Sequence, residues 1–138
     1  MRELGLMCMI ALDRAGTLDL LALRQAVPAV APRARLTIER RRAVPSETAL
    51  LVDIDDELFA VHVAPGLMPE REYEAAVRGN LIWPDAADRM ARHAAVATIC
   101  GALPPEGQTE TLSQAVALTR LAAAVARATP ACGVYWMG

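Results

Sequence analysis

The chain has 138 residues, of which 54% are hydrophobic and 22% charged, with a formal net charge of −2. That length can bury one real core without disulfide or metal staples, and a pI near 5.7 excludes a global positive field for nucleic acid or anionic lipid. The longest apolar runs, 4–12 and 94–103, are strand-sized and fall well short of the roughly 20 residues that a membrane-spanning helix needs.

In chain order, Gly5 to Leu12 is continuously apolar and predicts a central strand covered on both faces. Asp13-Arg14-Ala15-Gly16 turns the chain, and Thr17 is placed to cap a helix carrying Leu20, Leu21, Leu23 and Val27, which Pro28 should end. Arg35 to Arg42 alternates, with Leu36, Ile38 and Arg40 pointing one way. Thr48 to Ile54 and Leu58 to Ala64 form two β-rich runs joined by Asp55-Asp56-Glu57, which reads as a hairpin. A helix is expected from Pro69 to Val77 and a short one from Asp85 to Arg92, its acids and arginines ordered to suit the helix dipole. Ala94 to Gly101 is a second apolar strand. Thr111 and Gln114 fit a capping box opening a long amphipathic helix with Leu118, Leu121 and Val125 on one face, and Ala131 to Trp136 is the last strand.

The resulting order, β-α-β-β-β-α-α-β-α-β, argues for one α+β domain over residues 1–138. Its expected form is a single mixed β-sheet with helices mainly on one face. Steady βα alternation, which a doubly wound parallel sheet requires, is missing in the middle of the chain.

Little in the sequence carries chemistry. The cysteines Cys8, Cys100 and Cys132 sit in three separate strands without a CxxC pair, so they read as buried thiols in a reducing compartment. Asp53, Asp55, Asp56 and Glu57 cluster at a hairpin tip, which needs polar residues anyway, and no calcium-loop glycine accompanies them. His62 and His93 are the ligand candidates, but neither has acid or thiolate partners at zinc spacing, and the serines lack a nucleophile elbow. No catalytic residue, metal ligand or cofactor is assigned. Arg40 and Arg42 share a strand direction while Arg41 opposes them, so the basic run presents no single face. Together with Trp83 and Trp136, Arg40 and Arg42 are the interaction candidates. Trp136 is expected to be largely buried beside Cys132 and Val134, and Trp83 to anchor its loop on the core or to serve an interface.

Some motifs point to a family. Trp83-Pro84-x-Ala86, His93-x-Ala95, Leu118-Thr119-Arg120-Leu121 and Gly133-Val134-Tyr135-Trp136, with the earlier Leu67-Met68-Pro69, resemble the bacterial domain of unknown function 4261. The resemblance is strongest from Trp83 to Trp136 and implies either a short member or a fragment. It implies no reaction, cofactor or catalytic residue. The sequence therefore reads as a small cytoplasmic protein-interaction module, self-associating or with a protein partner, and without nucleic-acid or membrane binding. A small-molecule-binding or hydrolase-like domain using His62 and His93 is the alternative, and an immunity or antitoxin-like protein is a third.

Overall fold

A computed structural model describes residues 5–78, 82 and 84–137. Six strands, β1 (Met7–Leu12), β2 (Leu36–Arg40), β3 (Thr48–Ile54), β4 (Glu57–Pro65), β5 (Ala95–Gly101) and β6 (Ala131–Met137), form one sheet in the order β2-β3-β4-β5-β1-β6. Four helices accompany them: α1 (Leu20–Val30), α2 (Glu70–Arg78), α3 (Ala86–Ala91) and α4 (Gln108–Ala128). The α+β class and the element order are those expected from the sequence.

Every pairing in the sheet is antiparallel, whereas a mixed sheet was expected. The crossover through α4 does connect strands of like direction, β5 and β6. However, β1 lies between them and pairs antiparallel with both, so no parallel ladder forms.

The apolar character of β1 follows from this central position. Cys8, Ile10 and Leu12 point to the face covered by α1 and α4, where they join Val52, Phe59, Val61, Ile99, Leu121 and Val125 in the main core. The opposite face carries a second, smaller core in which Ala11 meets Met68 and the helical residues Tyr73 and Met90, flanked by Met9, Val96, Cys132 and Tyr135. The two longer helices thus share one face, and α2 and α3 cover β1, β5 and β6 on the other. The outer residues of β3 and β4 stay half-buried or exposed, among them Leu51, Asp53, Ala60 and His62.

Local signals set most boundaries. The β3–β4 hairpin turns through Asp55 and Asp56, whose φ values of 53° and 68° suit a two-residue turn of the kind that matches strand twist. α1 differs from expectation at both ends. Asp19 is the cap, its side chain accepting from the Leu21 N–H at 2.9 Å, while the Thr17 position stays outside the helix. Pro28 lies inside α1 rather than ending it. It sits in the last turn on the exposed side, where the carbonyl it leaves unbonded can turn to water.

α4 starts one turn earlier than the Thr111–Gln114 box suggests, with Gly107 as its cap and the Thr111 hydroxyl donating to the Gly107 carbonyl. Gln114 is buried instead. Its Oε1 accepts from the Leu6 N–H at 2.6 Å and its Nε2 donates to the Leu103 carbonyl at 2.9 Å. Gly101 makes room for that side chain, since a Cβ there would stand 2.6 Å from Gln114 Oε1.

Candidate functional site

The sheet ends differently on its two sides. At one edge, β2 reads Leu-Thr-Ile-Glu-Arg and is followed by Arg41 and Arg42. Charges of this kind deter a second chain from pairing with an open edge. At the other edge, β6 reads Ala-Cys-Gly-Val-Tyr-Trp-Met, with neither charge nor proline. Among the described residues β6 pairs only with β1.

Register with β1 sets the directions of the β6 side chains. Trp136 lies opposite Cys8 and Val134 opposite Ile10, so both look toward the α4 side. Trp136 is 49% exposed and Val134 42%, which corrects the expectation of a largely buried tryptophan. The cause is position: β6 is the rim of the sheet, and the main core lies inboard of it. A register shift between Ala11 and Leu12 also moves Cys132. It packs in the second core beside Tyr135 rather than beside Val134, with Sγ donating to the Ala11 carbonyl at 3.4 Å.

The two histidines are held by unrelated partners. His93 is only 2% exposed. The Met68 N–H donates to its Nε2 at 2.7 Å, and its Nδ1–H donates to the Met90 carbonyl. With both ring nitrogens engaged by backbone, it joins the segment before α2 to the end of α3, and Tyr73 stands edge-on at 6.0 Å. His62 lies on the outer face of β4, exposed, with Nε2 bonded to Glu47 Oε2 at 2.9 Å. Among the described residues, no hydrogen bond brings the two imidazoles to a common group.

The acidic hairpin is similarly occupied. Asp53 Oδ1 accepts from the Asp56 N–H, and Asp55 accepts from the Arg35 N–H and from Arg120 Nη1. Asp56 pairs with Arg35 at 2.6 Å, and Glu57 accepts from the Ser113 hydroxyl. These carboxylates close the turn and tie it to α4 and to the segment before β2. Among the described residues no three His, Cys, Asp or Glu side chains gather in a way that could hold a metal ion. Nor is any described helix long and apolar enough to cross a membrane.

Cys8 is buried as expected, and burial pushes its thiol up to about 12. Cys100 and Cys132 are only half-buried, because each stands on the less completely covered face. Burial raises both, and the Asp13 carboxylate adds to the rise at Cys132. Arg40 and Arg42 are exposed near the end of β2. Trp83 lies outside the described residues.

The arrangement is that of an antiparallel α+β domain with an uncharged strand at one edge of its sheet. No protein-family model matches the chain, and no curated protein or solved structure matches it either.

Proposed function

We propose that this chain is a non-enzymatic, self-associating interaction module of the bacterial cytoplasm, and that β6 is its contact strand. One observation carries the reading: β6 is an uncharged, proline-free edge that holds two large apolar side chains half in water. Proteins ordinarily protect such an edge with charge or proline along its length, as the arginines do beyond β2, and the register shift near Leu12 disturbs only the first residues of β6. An uncovered face of the sheet is the weaker argument, because the bare region over β3 and β4 mixes Leu51 and Ala60 with Asp53 and His62.

A second copy suits the edge better than an arbitrary partner. Antiparallel pairing about a two-fold axis sets Val134 and Trp136 of one copy beside those of the other, with no like charges opposed. A seven-residue ladder with its flanks falls at the small end of specific interfaces, which bury about 1,200–2,000 Å² in total. The association is therefore weak and concentration-dependent. The likeness to domain of unknown function 4261 belongs to the same proposal; it rests on the sequence motifs alone and supplies no activity.

Sedimentation velocity over a concentration series tests this. A monomer–dimer equilibrium that Val134→Lys shifts to monomer is the expected result. A parent protein that stays monomeric throughout the micromolar range overturns the proposal.

A further inference from the structure

The run of arginines at 40–42 reads from sequence as scattered over two strand faces, yet the end of β2 opens onto a cleft that two of them line. β2 stops at Arg40. Arg41 still donates its backbone N–H to the Ala49 carbonyl at 2.7 Å, and then the chain leaves the ladder. Arg40 and Arg41 both line this cleft of about 270 Å³, together with Thr17 from the segment before α1 and Glu47 and Thr48 from the β2–β3 connection and the start of β3.

The donors in this cleft are under-used. Arg40 makes no ion pair with any described carboxylate. Arg41 pairs with Glu39 at 3.4 Å with both side chains exposed, and pairs of that kind hold weakly. Thr48 is 6% exposed. Its Oγ1 accepts from the Leu18 N–H at 2.9 Å and makes no other hydrogen bond with the described residues, which leaves the hydroxyl proton without an acceptor. Glu47 is the one acid in the lining, and His62 engages it.

We propose that this cleft binds the phosphate group of a small phosphate monoester. Arg40 and Arg41 both line the cleft, and a guanidinium fork offers paired N–H donors to phosphate oxygens. The Thr48 hydroxyl adds a donor from the buried wall, and Thr17 supplies a second hydroxyl. Donors thus come from three segments of chain, which suits a tetrahedral oxyanion better than a planar carboxylate served by one fork. The volume accommodates a phosphate with a short organic tail.

Calorimetric titration of the full chain with inorganic phosphate, glycerol 3-phosphate and acetate tests the assignment. Saturable binding of both phosphates, with the ester at least as tight and acetate much weaker, is expected, and affinity should fall as salt rises. Arg40→Gln, an exposed substitution that should leave the melting temperature unchanged, should weaken phosphate binding about tenfold or more. Thr48→Val should weaken it several-fold. Absence of saturable phosphate binding in the parent, equal binding by Arg40→Gln, or a preference for acetate overturns the proposal. Sedimentation of Arg40→Gln should match the parent, so failure here is distinguishable from failure of the strand-edge reading.

Discussion

His93 and His62 show how differently one residue type behaves in two settings. Replacing His93 with Ala strands the Met68 N–H and the Met90 carbonyl beneath Tyr73 and opens a void, for an expected loss of about 2–4 kcal/mol in denaturant unfolding. His62→Ala removes only an exposed contact with Glu47, and its expected effect is within about 0.5 kcal/mol. If the two variants unfold at the same denaturant midpoint, the latch assigned to His93 is wrong.

Cys8 makes a prediction in pH. Its folded thiol is raised from 9.0 to about 12 by burial, so above pH 9 the unfolded chain releases a proton that the folded chain keeps. Stability should therefore fall as pH climbs from 9 toward 12. A Cys8→Ala variant, less stable at neutral pH, should show a shallower alkaline decline. Thiol labelling of the native protein should reach Cys100 and Cys132 slowly and Cys8 only on unfolding. None of these contrasts was legible in the sequence, where each histidine and each cysteine stood in or beside an apolar strand; the covering helices come from elsewhere in the chain.

Among the elements, those whose signals are local were legible. Thr48 to Ile54 and the turn at Asp55-Asp56 appear where alternation and turn chemistry put them. The capping box failed because Gln114, three residues after Thr111, is drawn into a long-range contact with Leu6 that no local pattern reveals. Gln114→Ala should cost about 1–3 kcal/mol by leaving the Leu6 N–H without its acceptor. Gly101→Ala should destabilise the same joint, because its Cβ would meet Gln114 within 2.6–3.0 Å. Unchanged unfolding midpoints for both would mean that α4 is not seated by this side chain. For β6, Val134→Lys should disperse any oligomer while leaving the monomer's melting temperature nearly unchanged, since the side chain is already in water. Alternation along β6 misplaced Cys132 because a register shift near Leu12 interrupts the period of two.

For the whole molecule, class and element order could be read from the chain, but strand neighbours and directions could not. Hydrophobic pattern reports whether a strand is covered, not which strand lies beside it. The continuous apolar run of β1 implied a central place and was right. The antiparallel sheet required knowing that β1 inserts between β5 and β6. The candidate site was less legible still: Trp136 was named, but its exposure depends on β6 being an edge, and the cleft at Arg40 and Arg41 depends on where β2 stops. Phe59, the one phenylalanine, is fully buried in the main core, and Phe59→Ala should lower stability by about 3–5 kcal/mol in urea titration.

The insertion of β1 also has a consequence in time. Of the six strands in this sheet β1 leaves the ribosome first, yet both of its hydrogen-bonding neighbours are made late, β5 beginning at Ala95 and β6 at Ala131. At roughly 5–20 residues per second, a stretch of uncharged, strand-prone chain waits several seconds without a partner. Meanwhile β2, β3 and β4, which neighbour one another in sequence and in space, can close their meander first. The newborn chain therefore passes through a phase in which this apolar segment is bare, and a holding chaperone that grips short apolar strands would find its target in residues 7–12.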